Sequence, residues 1–235
     1  MALSPAKRHF QQVTAAQAAE AAGPADTMEG LDAYDQQRAQ LLQDQLRLKQ
    51  VQSTEGKCAL KAQLLPAYAP YVQGVLEAGQ GAQDEVLITV MLWHIDAGAF
   101  AEALPIAEYV LKHSLKMPDR FSRTAGTVIA EEVAEAALKA FKAGNQFDVA
   151  ILAKTEELTA EQDMPDQARA KLHLALGKAA AAQVDEAKPD ATDAVWLEAA
   201  KRHLSRAIEL HSNCGGKKDM ERVDRLLKNH AGPAS

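Results

Sequence analysis

The sequence predicts an all-α protein: a long N-terminal helix followed by an α-solenoid of tetratricopeptide-like hairpins. Three observations predict it. First, aromatic residues are only 5% of the 235, Ala is abundant and β-branched residues are sparse, which is the balance of a helical chain. Second, apolar residues return at the helical period. Leu87, Val90, Met91 and Ile95 make one stripe; Phe100, Ala103, Leu104, Ala107, Val110 and Leu111 make the next, with Asp96-Ala97-Gly98-Ala99 as the turn between them. Third, this hairpin recurs. Phe100-x-x-Ala103-Leu104 returns as Phe147-x-x-Ala150-Ile151, and Met117-Pro118-Asp119 as Met164-Pro165-Asp166, both 47 residues on. Trp196-x-x-Ala199-Ala200 is a weaker third copy. An aromatic corner followed by small residues, repeated at one offset, is how stacked helix pairs are built.

Taken in order, residues 1–28 read as a flexible arm rich in Ala and Gln. It could open with a short helix, Ser4 as N-cap and Pro5 at its first position, before the Gly23-Pro24 break. Residues 29–62 read as one long polar helix with a thin apolar seam. Tyr34, Leu41 and Leu48 stand seven apart, the spacing of a coiled-coil contact, and are the candidate oligomerisation residues. A surface helix lying on its own domain accounts for the same spacing. Glu29, Asp32 and Asp35 suit the positive end of its dipole. Pro66 and Pro70 break that helix, and residues 63–230 form the repeat domain. Residues 184–194 are a polar loop containing Pro189; Trp196–Leu210 is an amphipathic helix; Gly215-Gly216 ends it; Lys218–Lys228 is a final helix. Residues 231–235 fray.

A net charge of −6 excludes a globally basic nucleic-acid binder, so any DNA contact must come from local patches. Cys58 and Cys214 lie far apart with no CxxC, the usage of a reduced intracellular compartment. No apolar run reaches the length of a membrane span, and Lys7 and Arg8 are followed by no apolar signal-peptide core.

No motif assigns catalysis, a metal or a cofactor. Pro165-Asp166 with Glu186-Ala187-Lys188 spells the text of a PD-(D/E)xK nuclease, but that chemistry needs a sheet edge to converge acids and lysine on a metal, and both pieces sit among helical patterns. Asp166 reads instead as an N-cap. Glu131, Glu132 and Glu135 cluster on one helix without the Glu-x-x-His motifs of a di-metal bundle. His203, His211 and Cys214 are spaced poorly for zinc, and no phosphate-binding GxxxxGK[ST] is present. Two basic patches remain. Lys112, Lys116, Arg120 and Arg123 are opposed only by Asp119. From Trp196 onward eight Lys or Arg, Lys217 and Lys218 among them, face five acids. Such patches neutralise phosphates, although cations near helix C-termini also satisfy the dipole. With Lys7 and Arg8 these make the candidate DNA-binding set.

The stretch LLPAYAPYVQGVLEAGQGAQDEVLITVMLWHIDAGAFAEAL resembles the small terminase subunit (terminase endonuclease subunit) family of peduovirus-type tailed phages. IAEYVLKHSLKMP, AEEVAEAAL, LTAEQDMPDQARAKLHLALG and the N-terminal SPAKRHF are similar to the same family, so the resemblance runs from about residue 4 to 228; Gly79–Asp84 and Val90–Trp93 are its specific blocks. It implies a viral DNA-packaging protein of the host cytoplasm, with no membrane partner. Such a subunit recognises the packaging (cohesive-end) site on viral double-stranded DNA, forms a homo-oligomer, and delivers DNA to the large terminase subunit, which carries the ATPase and nuclease. It also implies no enzymatic activity of its own. A metal-dependent endonuclease subunit and a protein-only helical-repeat adaptor are the alternatives. Where some relatives continue into a basic tail, this chain ends in Ala-Gly-Pro-Ala-Ser, so its DNA affinity is expected to come from elsewhere or to be weak.

Overall fold

A computed structural model describes residues 3–24, 26–118, 122–186 and 192–230. Among these residues it is all-helical: α1 (Pro5–Ala21), α2 (Asp32–Gln50), α3 (Thr54–Leu64), a short 3-10 turn (Leu65–Ala67), α4 (Ala69–Ala78), α5 (Glu85–Asp96), α6 (Phe100–Lys112), α7 (Ala125–Lys142), α8 (Val149–Thr159), α9 (Asp166–Ala181), α10 (Asp193–Leu210) and α11 (Lys217–His230). The only extended pairing described is an isolated bridge between Thr27 and Gln83. The chain divides into two compact units, Met1–Ala125 and Gly126–Ser235, so the span 63–230 is shared between them.

The N-terminal unit is built round α5. Residues Val86 to Trp93 and Ile95 are all buried, and a helix apolar on every side belongs at the centre of a core. α2, α3 and α6 pack on it. α6 returns antiparallel through the turn read from the sequence, where Gly98 holds φ +75°. Two tyrosines bring polar groups into this core, each with a partner. Tyr68 donates to Asp44 of α2 (2.8 Å) and stands edge-on to Trp93, with centroids 5.9 Å apart. Tyr71 donates to Asp84 (2.6 Å), whose other oxygen accepts from the Leu87 N–H (2.8 Å) and so caps α5. Burial pushes the Asp84 carboxyl up to about 6 despite those bonds.

Two elements differ from the sequence reading. Residues 29–62 are two helices rather than one. The chain turns extended at Val51, and Ser53 starts α3 by accepting from the Gly56 N–H (3.1 Å). A side-chain oxygen that satisfies an orphan amide favours a fresh start over continuation. Residues 5–21 form α1, which is longer than a short opening helix and lies along α4. Ala15 and Ala19 are buried there, and a Cβ on Gly74 of α4 would meet the Gln12 carbonyl oxygen at 2.3 Å. Gln12 also donates to Glu77 across the contact (2.9 Å). Small residues on both helices let their backbones close. Gly74→Ala is therefore expected to wedge α1 off α4 and cost about 1–3 kcal/mol, read as a lower thermal midpoint; an unchanged midpoint would mean the contact is slack.

In the C-terminal unit α9 and α10 form the closest pair. α9 is Ala-rich on its inner face, and a Cβ on Gly177 would meet Leu204 Cγ at 2.7 Å. Leu197, Ala200, Leu204 and Ala207 of α10 and Val223 of α11 are fully buried with it, and Trp196 packs at the edge of that cluster. α9 is capped by Pro165 without a side-chain bond, so Asp166 is its first residue and not its N-cap, serving the dipole from the first turn.

Candidate nucleic-acid interface

The basic residues singled out from sequence fall into three places. Lys112 is in the last turn of α6 and Lys116 follows it; both are exposed. The chain between them reverses through Ser114, which has left-handed φ (54°), and buried Leu115, whose N–H returns to the Val110 carbonyl (3.0 Å). Gln83 fixes the end of this turn. Its side chain accepts from the Lys116 N–H and donates to the Lys116 carbonyl, both at 2.8 Å, so one amide stands in for a paired strand. The backbone of Gln83 in turn holds Asp26 and Met28, and the Gly81 N–H donates to the Tyr109 hydroxyl (2.9 Å). The loop 79–84 is thus the clamp that presents Lys112 and Lys116. Beside it a cleft of about 440 Å³ is lined by Lys116 but also by Glu29 and Glu85, which oppose its charge. Arg123 is exposed in the approach to α7. Arg120, with Asp119, lies outside the described residues.

Lys7 and Arg8 are exposed in the first turns of α1, behind the Ser4 cap. Lys217 and Lys218 are the first two residues of α11 and are also exposed. These positions separate two explanations of the basic patches. Lys112 sits at a helix C-terminus, where the dipole favours a cation. Lys7, Arg8, Lys217 and Lys218 sit at N-termini, where the dipole disfavours each cation by about 0.3–1 kcal/mol at low salt. The acid in the first turn of α11, Asp219, is taken up by Lys178 of α9 (2.5 Å). Helix stability does not account for these four cations. A cation held at the unfavourable pole of a helix is available to a phosphate, which the same pole favours.

The candidate oligomerisation residues lie inward. Tyr34, Leu41 and Leu48 are 2%, 4% and 8% exposed, on the face of α2 turned to its own unit. That face also carries Asp44, the Tyr68 acceptor.

The acidic clusters are committed to ion pairs. Lys171 of α9 lies 3.7 Å from Glu131 and bonds Glu135, both on α7. Glu186 receives two bonds from Arg222 (2.7 and 2.6 Å), and Lys188 lies outside the described residues. Among the described residues no three His, Cys, Asp or Glu converge as metal ligands, and no helix is long and apolar enough to cross a membrane.

One constellation escaped the sequence reading. His203 meets His173, not His211 or Cys214. Their Nδ1 atoms are 3.0 Å apart and the rings stack at 5.2 Å, in a groove that also holds Arg202 and Arg206. At that distance one imidazole donates its N–H and the other accepts, so the accepting ring is neutral. Burial draws each down to about 4, with nearby arginines adding to the effect. The two residues are thirty apart on different helices, and no local spacing announces them.

A model of the phage small terminase subunit matches residues 38–167. The terminase endonuclease subunit of Escherichia phage P2 is 44% identical over 96% of this chain and 86% of its own length. The probable terminase endonuclease subunit of Haemophilus phage HP1 (strain HP1c1) is 25% identical over 67% of this chain and 57% of its own. No solved structure matches.

Proposed function

Because this chain belongs to the phage small terminase subunit family and so has a part in phage DNA packaging, we propose that it is the subunit that recognises the packaging site on viral double-stranded DNA, self-associates, and hands the duplex to the large ATPase and nuclease subunit inside the host cell. The observation that carries the DNA contact is the placement of Lys7, Arg8, Lys217 and Lys218 at helix N-termini, against the helix dipole. Lys112, Lys116, Arg120 and Arg123 form a second set of phosphate contacts. The helical-hairpin repeat belongs to the same reading. Phe100 opens α6, Phe147 directly precedes the Asp148 cap of α8, and Trp196 lies in the first turn of α10, all three half-buried corners.

Phosphate contacts release counterions, so affinity falls steeply with salt. Replacing Lys7, Arg8, Lys217 and Lys218 together with Ala is expected to lower the slope of log K against log salt by up to about 3.6, at ~0.9 for each phosphate no longer neutralised. Packaging-site and random duplexes should weaken about equally, because phosphates carry no base identity. The same slope in parent and variant would remove these residues from the interface. The matching variant of Lys112, Lys116, Arg120 and Arg123 measures the second set in the same titration.

The relatives' names carry a second reading, in which the isolated chain cleaves DNA. The ion pairs that occupy Glu131, Glu135 and Glu186 favour assigning the cut to the large subunit. Cleavage of a packaging-site duplex by the purified chain with Mg²⁺, abolished on chelation, would reverse that assignment.

A further inference from the structure

α2 carries two stripes, and only one of them is used within the unit. The inward stripe, Tyr34-Gln37-Leu41-Asp44-Leu48, is buried throughout. The outward stripe is Asp35-Ala39-Leu42-Leu46-Lys49, and every member is exposed. At 3.6 residues per turn the two lie roughly 140° apart round the helix. The outward residues are spaced 4-3-4-3, which is the rhythm of a helix–helix seam. Leu42 is 57% exposed and Leu46 45%, two of the few large apolar side chains left open to water among the described residues. α1, α3 and α5 pack on α2 without covering them.

We infer that this face pairs with the same face of a second copy, antiparallel, about a two-fold axis at Leu42. The occupant follows from the stripe's own charges. It has an acid at its N-terminal end, a base at its C-terminal end and leucines between. A parallel copy would set Asp35 on Asp35 and Lys49 on Lys49. An antiparallel copy centred on Leu42 sets each Asp35 against Lys49 of the partner, stacks Leu42 on Leu42, and lays the Arg38 stem over Leu46 of the partner. One surface patch serves both copies, as an isologous contact requires. The Asp35 carboxylate is available for this; among the described residues it accepts a long bond, 3.4 Å, from the Gly30 N–H. A groove of about 450 Å³ between α2 and the start of α5 flanks the first half of this stripe, at Asp35, Ala39 and Leu42, and gives the partner's side chains room there.

This inference rests on the self-association proposed above and names its face and symmetry. The test is the native mass of the full chain across a concentration series. The parent is expected to associate. Leu42→Glu with Leu46→Glu should abolish that contact with the circular dichroism unchanged, since both residues are exposed. Asp35→Lys and Lys49→Asp should each weaken association about tenfold, by turning two attractions into two repulsions, and the two together should restore it. Leu42→Cys should give a disulfide-linked dimer under mild oxidation. If the parent is monomeric at every concentration, self-association itself fails and this inference with it. If the parent associates while the double glutamate variant keeps the parent's mass, or the two charge reversals together do not restore what each alone removes, the outward face of α2 is overturned and self-association stands on another surface.

Discussion

Leu41→Glu is expected to unfold the N-terminal unit, while Leu42→Glu, one residue along, leaves it intact. Leu41 is 4% exposed, and its neighbours on the inward stripe include Asp44, already committed to Tyr68. Losing the leucine side chain costs about 2–5 kcal/mol. A second carboxylate without a partner in that interior adds a desolvation penalty of several kcal/mol. Together they match the whole stability of an ordinary domain, about 5–15 kcal/mol. Leu42 is 57% exposed, and a glutamate there exchanges one solvated group for another, within about 0.5 kcal/mol in the monomer. The check is thermal unfolding followed through Trp93, which packs on Tyr68 in the same core. A Leu41→Glu variant that melts with the parent would mean that α2 does not lie on α5.

The two units should also answer acid in opposite directions. Asp84 is held up to about 6 against an ordinary 3.8. Between those values folded Asp84 binds more protons than in the unfolded chain, so this group stabilises the N-terminal unit as pH falls, against the opposite pull of His94 and His113, which burial holds down. The full difference, two units of pKa, is about 3 kcal/mol. His173 and His203 are held down to about 4 against 6.5. There the unfolded chain binds more protons, so the C-terminal unit loses stability as pH falls through 6.5 toward 4. The pair is partly open to solvent, so screening leaves about 1–2 kcal/mol of that effect. Trp93 and Trp196 are the only tryptophans, and one lies in each unit. Trp196→Phe therefore leaves a reporter of the first and Trp93→Phe one of the second. From pH 7 to pH 5 the urea midpoint seen by Trp93 is expected to rise and that seen by Trp196 to fall. Asp84→Asn keeps the cap and should flatten the first response; His173→Gln with His203→Gln should flatten the second. Midpoints that fall together in the parent, and still do so in both variants, would show that neither group governs its unit.

What the sequence disclosed follows from which contacts are local. The α5–α6 hairpin was legible because its stripe, its turn and Gly98 lie within about twenty-five consecutive residues and obey one period. The seven-residue spacing on α2 was also legible, but two stripes share it. Periodicity says that a face is apolar without saying which body covers it; Tyr34, Leu41 and Leu48 turned to their own unit, and Leu42 and Leu46 did not. The break at Ser53 was written in a capping residue that the apolar seam outweighed. Three features had no local signature. Gln83 reaches Lys116 across thirty-three residues, His173 reaches His203 across thirty, and α1 docks on α4 because Gly74 is small. Each depends on two distant segments being small or polar in the same place. The DNA candidates gained meaning the same way, once helix ends were known and a cation could be assigned to the favourable or unfavourable pole.

The docking of α1 has a consequence for the heat of binding. An arm that orders itself on DNA would bury fresh apolar surface and give association a large negative heat-capacity change. It would also give up part of its affinity to the entropy of ordering. Here Gly74 and Ala15 already hold the helix that carries Lys7 and Arg8, so those costs were met when the unit folded. Calorimetric titrations at several temperatures should show an enthalpy of duplex binding that scarcely drifts, the signature of a rigid basic surface meeting its partner already shaped.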